Sequence, residues 1–285
     1  SFNSSDLGLT TSVPAVVRVN PAADPKASNT NAKWYMVVGS GPTGYNASVV
    51  QSAKIFVIDL ATGPGSGNSL VTSYSVGSWN SYIGDITAFD RDLDYRHDVV
   101  YFGRVIHDGA LPWRGKMYRL TMGAGGATAK FGTVTSPTQW GIASGSARVP
   151  TEMLDTFVSG AEMGPVATAP SVTMDDAANV WVFAGSGRYY SGTDKTDIST
   201  QYFVGLKDSV LNAGCNQTVG ALNCMDNDLV DVSNATVCVV GVGDCGQASG
   251  TNQVSGVTGA TTFTGLIGLV QSKDGWVTKL VEPGS

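Results

Sequence analysis

Histidine is almost missing from this chain: only His97 and His107 occur among 285 residues. That scarcity thins the field for histidine-based catalysis and for most transition-metal sites, where imidazole is the usual proton carrier or ligand. Charge is scarce as well. Charged residues make up 14%, well below the usual quarter or so of a soluble domain. Net charge is −6, from 17 basic and 23 acidic residues. No Lys/Arg run or basic patch is present, which argues against nucleic acid as a partner. No apolar run approaches ~18 residues, so no membrane span is expected. Neither a signal peptide nor an initiator Met is present, as if Ser1 began a processed or excerpted piece of a longer protein. Cysteine is absent from the first 214 residues and then appears four times, at Cys215, Cys224, Cys238 and Cys245. These spacings do not fit the ~2–4-residue gaps of zinc knuckles. No Cys-x-x-Cys-His haem site occurs either. Two disulfides in an oxidising compartment are expected, with four independent buried thiols as the alternative. Of the three possible pairings, Cys215–Cys224 with Cys238–Cys245 is the simplest.

What is abundant points one way. Glycine occurs 36 times, Ser, Thr, Val, Asn and Asp recur, and Lys, Glu and Gln are few. Such a composition suits short strands joined by tight turns. A loose internal repeat supports this. Ser12-Val13-Pro14-Ala15-Val16-Val17 leads to Lys33-Trp34-Tyr35-Met36-Val37-Val38-Gly39-Ser40-Gly41, with Tyr45 after it. Downstream, Thr168-Ala169-Pro170-Ser171-Val172 leads to Val180-Trp181-Val182-Phe183-Ala184-Gly185-Ser186-Gly187, with Tyr189 and Tyr190 following. Between them, Asp85-Ile86-Thr87-Ala88-Phe89 leads to Val99-Val100-Tyr101-Phe102-Gly103. Further strands are expected at 54–59, 115–120 and 201–206, and once at 70–76. Units of about four antiparallel strands, repeated, predict the blades of a propeller. The repeats start roughly 70–85 residues apart, longer than the ~40–50 of compact blades, so insertions are expected.

Three stretches read as insertions: residues 21–31, residues 137–162 with a short helix around 151–157, and residues 212–259. The last holds every cysteine and is expected to be a disulfide-braced insertion without blade strands, within one propeller domain, or part of one, spanning 1–285. Residues 263–270 read as a strand, and 275–280 as the start of another unit.

In order, these segments resemble the C-terminal domain of the PilY/PilC family of type IV pilus assembly and tip adhesin proteins. The likeness is carried by Leu7-Gly8-Leu9-Thr10-Thr11-Ser12-Val13-Pro14, by Lys54-Ile55-Phe56-Val57-Ile58-Asp59-Leu60-Ala61-Thr62-Gly63, and by the acidic loop and strands from Asp85 to Leu120. It continues through Gly185-Ser186-Gly187-Arg188-Tyr189-Tyr190 to Gln201-Tyr202-Phe203, and Gly275-Trp276 is similar to the start of that family's next blade. The resemblance implies an all-β, partial or modified quinoprotein-like propeller. It also implies a protein at the pilus tip or cell surface, exported through the periplasm. The implied role is to support pilus biogenesis, oppose retraction and mediate adhesion. Minor pilins or the pilus tip complex, and a host or abiotic surface, are the implied partners. The insertion at 212–259 has no counterpart in that pattern.

The sharpest chemistry is Asp90, Asp92, Asp94 and Asp98, spaced D-x-D-x-D-x-x-x-D. Alternate carboxylates in a tight loop converge on one centre, and Ca²⁺ takes six to eight hard oxygens. Arg96 would add its backbone carbonyl. Related loops have glycine where Tyr95 stands, so the sharp turn is expected to be harder to make. A solvated acidic turn balanced by Arg91 and Arg96 is the alternative. Gly39-Ser40-Gly41 and Gly185-Ser186-Gly187 lack the lysine and helix of a phosphate loop and read as strand-end turns. No G-x-S-x-G elbow occurs, and His97 and His107 read as exposed loop residues. Asn46, Asn216 and Asn234 begin glycosylation sequons that arise readily by chance in such a composition. The expected function is binding and assembly, not enzymatic catalysis. Two rivals remain: a quinoprotein dehydrogenase on the same fold, which would favour adjacent cysteines that this chain lacks, and a propeller adhesin or lectin unrelated to pili.

Overall fold

The computed structural model describes residues 5–21, 30–62, 69–77, 80–107, 109, 113–123, 133–154, 162–208, 229–238 and 253–280. The alternating segments form strands, and these fall into three successive sheets. The first holds β1 (Ala15–Val19), β2 (Lys33–Gly39), β3 (Lys54–Asp59) and β4 (Leu70–Ser75), in chain order and antiparallel throughout. The second begins with β5 (Ser81–Phe89), β6 (Val99–Ile106) and β7 (Arg114–Thr121). A small hairpin of β8 (Ile142–Ser144) and β9 (Ala147–Val149) follows. Then β10 (Thr151–Leu154) returns to the free edge of β7, giving the order β10-β7-β6-β5. The third contains β11 (Ser171–Met174), β12 (Val180–Gly185) and β13 (Gln201–Asp208). Next in the chain come β14 (Leu229–Asp231), β15 (Thr236–Cys238), β16 (Gln253–Ser255), α1 (Phe263–Ser272) and β17 (Gly275–Leu280). The third sheet has the order β11-β12-β13-β17-β14, and β15 pairs with β16 separately. A four-stranded antiparallel meander is the strand order of a propeller blade.

Period-two alternation decides how the sheets stack. Strand β6 is buried along nearly its whole length because both of its faces are covered. Val100 and Phe102 enter a core shared with Val17, Val37, Ile55 and Val57 of the first sheet. Val99 and Tyr101 enter a second core with Val180, Val182, Val204 and Leu206 of the third. The middle sheet is therefore packed between the other two. The glycine that closes two of the repeats has a packing reason. A Cβ on Gly39 would lie 2.4 Å from Cβ of Ile83, and one on Gly103 would lie 2.3 Å from the carbonyl oxygen of Val166. Both are separations that real Cβ atoms do not show, so any larger residue would push neighbouring chain segments apart.

One polar network crosses the second core. Tyr101 donates through its hydroxyl to Oδ2 of Asp208 at 2.7 Å. Arg119, opposite Tyr101 across the β6–β7 ladder, forms an ion pair with Oδ1 of the same carboxylate. All three side chains are fully buried or nearly so. Burial, then the adjacent Asp208 charge, pushes the Tyr101 hydroxyl well above its ordinary pKa.

Three local expectations are corrected. Within the helix expected around 151–157, the described residues Thr151–Leu154 form a strand instead: Thr151 and Glu152 pair with Arg119 and Tyr118, and Met153 and Leu154 are buried. The open edge of β7 outweighs a weak helical preference. Residues 263–270 are helical, not a strand. The Thr262 side chain caps the helix by accepting from the Gly265 N–H at 3.1 Å. Phe263, Leu266, Ile267 and Val270 recur at helical spacing, a period that a short continuous apolar run conceals. Finally, 275–280 does not open a new unit. It is β17, paired along β13 as the next strand of the third sheet. The cysteine-bearing stretch thus interrupts a unit between its third and fourth strands, and it supplies β14, which pairs in parallel with β17.

Candidate metal centre in the acidic loop

The loop at 90–98 joins β5 to β6, two strands held in register up to Phe89 and Val99. Its ends are therefore fixed by sheet packing. One carboxylate oxygen each from Asp90, Asp92 and Asp98 can be chosen so that all three lie within 4.8 Å of one another. These residues could hold a metal ion, and an oxygen-only donor set suits a hard cation. Asp94 departs from the expected set: its carboxylate forms an ion pair with the Arg96 guanidinium and accepts from the Arg96 N–H at 3.0 Å. Both partners are buried.

The loop is shaped by its own backbone donors. Asp90 accepts from the N–H groups of Asp94 at 3.1 Å and Tyr95 at 2.8 Å. Asp98 accepts from the Arg91 N–H at 2.7 Å. Burial lifts the Asp98 carboxyl to a pKa of about 7; Asp92, Asp90 and Asp94 push in the same direction, and the Arg91 N–H opposes them. A bound cation would relieve both causes of that rise.

The turn forms without glycine. Leu93 and Tyr95 take φ of 54° and 66°, and both side chains are exposed. This left-handed conformation costs an L-residue about 1–2 kcal/mol. Tyr95→Gly should remove most of that strain, offset by roughly 0.4–1 kcal/mol of extra chain entropy in the unfolded state. The expected net gain is roughly 0.5 kcal/mol, read from the urea midpoint at unchanged slope. A loss of stability would show that the tyrosine side chain supports the loop.

His97 is not an exposed loop residue. Its N–H donates to the Arg18 carbonyl at 2.9 Å, and its Nδ1 accepts from the Arg18 N–H at 3.1 Å. Arg18 also donates from Nη1 to the Tyr95 carbonyl at 2.8 Å. Desolvation lowers the His97 pKa, with Asp90 the largest opposing influence, which matches a neutral ring accepting a hydrogen bond. The loop of the second sheet is thereby clasped to β1 of the first. Nothing in the sequence pairs His97 with a residue 79 positions earlier. His107, the other histidine, stacks on Trp113 with ring centres 3.9 Å apart.

The two Gly-Ser-Gly segments close strand ends in matching ways. The Ser40 hydroxyl accepts from the Lys54 N–H at 2.9 Å, and that of Ser186 accepts from the Tyr202 N–H at 2.7 Å. Of the cysteines, Cys238 ends β15 and is not a free thiol. Cys215, Cys224 and Cys245 lie outside the described residues.

No family model matches the sequence, and no curated protein matches it. Among solved structures, the chain is similar to one crystallised domain over 98% of its own length and 52% of that chain, with a TM-score of 0.56 and 19% identity. The class is therefore an all-β domain of several antiparallel sheets, spanning about half the length of the structure it matches. That structure is the Pseudomonas aeruginosa PilY1 C-terminal domain, and the present chain has a fold like it.

Proposed function

We propose that the three sheets are blades of a modified, quinoprotein-like propeller, and that the protein supports type IV pilus biogenesis, opposes retraction and mediates adhesion from the pilus tip or cell surface. The observation that carries this reading is the likeness of fold to a pilus-named domain across 98% of the chain. The ordered series of family-like segments supports it independently. Minor pilins or the tip complex are its partners inside the pilus, and a host or abiotic surface is its partner outside. The role is binding and assembly, not catalysis. Among the described residues no helix is long and apolar enough to cross a membrane.

Within this reading, Ca²⁺ is the cation of the acidic loop. Asp90, Asp92 and Asp98 would hold it, with the Arg96 carbonyl and water completing the shell, and Asp94 joining once released from Arg96. Bound there, it would neutralise carboxylates beside the clasp between the first two sheets.

Deletion of the gene should sharply reduce surface pili, and removing the retraction motor in the same strain should restore them. Unaltered piliation would overturn the reading. The quinoprotein alternative predicts an absorption band beyond that of the aromatic residues in the purified protein. The cysteines complete the proposal: two disulfides, Cys215–Cys224 and Cys238–Cys245, brace the insertion at 212–259. Closing short loops in this way stabilises by about 2–4 kcal/mol each. Peptide mass mapping without reductant should find both bridges; four alkylatable thiols would remove them and weaken the case for export.

A further inference from the structure

One face of the third sheet meets the second sheet; the other is covered by different elements. Val180, Val182, Val204 and Val277 turn to the second sheet, so by alternation Trp181, Phe183 and Trp276 point the other way. On that side β14, β16 and α1 build a small core of their own from Val230, Val254 and Val257, against which Leu266, Leu269 and Val270 pack. The cover is incomplete. Between α1 and the sheet lies a cleft of about 610 Å³, floored by Trp181, Phe183 and Trp276 and walled by Leu266, Ile267 and Val270. That size falls within the roughly 300–1,000 Å³ of small-molecule sites, which are mostly apolar with a few placed polar groups. No residue of α1 is fully buried, and Ile267 stays 42% exposed.

The floor is held in place. Ring centres of Trp181 and Phe183 are 6.3 Å apart and those of Phe183 and Trp276 6.2 Å, which makes a continuous row. Gly205 stands between Phe183 and Trp276 in the ladder, and a Cβ there would come within 2.5 Å of Trp276 Nε1. Its missing side chain is what lets the indole approach the sheet so closely. At one end of the row stands Asp175, in the turn between β11 and β12. Its carboxylate accepts from the Ala177 and Asn179 N–H groups at 2.9 Å, from the Asn179 side-chain amide at 2.9 Å, and from Trp181 Nε1 at 2.9 Å. Desolvation opposes ionisation, but these hydrogen bonds outweigh it and lower the Asp175 pKa. All of the donors are neutral, and no cation among the described residues pairs with the charge. Asp176 follows it in sequence, and no described lysine or arginine lines the cleft. Lys207, opposite Trp181 on β13, donates from Nζ to the Gln271 carbonyl at 2.7 Å. An indole that gives its N–H to a carboxylate is polarised toward a more negative ring, which strengthens the attraction of its face for a cation.

We propose that this cleft binds a small organic cation, an ammonium carried on an apolar alkyl or aryl stem. The stem lies along the three rings and against Ile267 of the helix. The ammonium sits at the Trp181 end, against the indole and beside Asp175. Burial of the stem supplies affinity, and the charge supplies selectivity. An anion of the same shape would give up its hydration only to meet a carboxylate. A sugar is disfavoured, because its hydroxyls would face Leu266, Ile267 and Val270 without partners.

The test compares phenylbutylamine, phenylbutanol and phenylbutyrate, which share a stem and differ in the charge at its end, by calorimetry on the intact protein at neutral pH. The amine should bind at least about 10-fold more tightly than the alcohol, and the butyrate most weakly. Added salt should narrow these gaps. Asp175→Asn should bring the amine to the affinity of the alcohol and leave the alcohol unchanged. Ile267→Trp should fill the cleft and weaken all three. Neither side chain is buried in the core, so both variants should keep the wild-type melting temperature. Equal affinity for amine and alcohol, or a preference for the butyrate, overturns the cationic ligand. Absence of binding by all three at millimolar concentration, or binding that Ile267→Trp leaves intact, overturns the site itself. Each of these outcomes leaves the proposed pilus role standing, because the cleft carries no part of it.

Discussion

Replacing Arg119 by methionine should destabilise the protein by about 3–5 kcal/mol, the usual effect of leaving one member of a buried ion pair alone. The Asp208 carboxylate is fully buried, and without the guanidinium its charge is left with no balancing cation from Arg119, although the Tyr101 hydroxyl still donates to it. The double variant Arg119→Met/Asp208→Leu removes both charges and should recover most of the loss. Tyr101 would then have to find another acceptor, which limits the recovery by about 1–3 kcal/mol. Urea unfolding of the two variants separates these outcomes. A loss below about 1 kcal/mol for Arg119→Met would mean that water reaches the carboxylate and that the contact between the second and third sheets opens there.

A comparable effect is expected from pH and metal at Asp98. Its unfolded carboxyl titrates near 3.8 and its folded one at about 7. Between those values the folded state keeps a proton that the unfolded state has lost. Stability without metal is therefore highest below about 4 with respect to this group, and falls as pH rises through the window. The full loss, reached above about 7, is roughly 4 kcal/mol. Asp98→Asn should flatten that dependence and raise the metal-free stability at neutral pH. Ca²⁺ should oppose it differently, by stabilising the ionised carboxylate in the folded state alone. Saturation at about 100 times Kd adds about 2.7 kcal/mol. The melting temperature at neutral pH should rise by several degrees with Ca²⁺, fall back with chelator, and cease to respond in Asp98→Asn. An unmoved melting point at millimolar Ca²⁺ would leave the loop as an acidic turn.

Most strands were legible in the sequence because each alternates with period two and ends in a turn former. The repeat from Lys33 to Gly41 and from Val180 to Gly187 even marked equivalent hydrogen bonds, those of Ser40 and Ser186. Legibility failed where local pattern was ambiguous or where a distant edge made the choice. Residues 263–270 offered an apolar run that fits either element. Residues 151–154 became β10 because β7 had an edge to fill, and 275–280 joined β13 across the long cysteine-bearing insertion, whose local pattern does not show which strand comes next. In the candidate site, the acidic spacing named Asp90, Asp92 and Asp98 correctly as neighbours. It could not show that Asp94 turns to Arg96, since both arrangements satisfy the same spacing.

By itself, then, the sequence determined the all-β class, the four-stranded unit and the acidic loop, because strand period, turn chemistry and carboxylate spacing are local properties of the chain. The tertiary structure decided which strand completes which sheet, how His97 clasps β1, why Asp98 holds its proton to near neutrality, and that an apolar cleft lies between α1 and the third sheet. Each of these depends on burial or on groups brought together from tens of residues apart, and local sequence carries no record of that proximity.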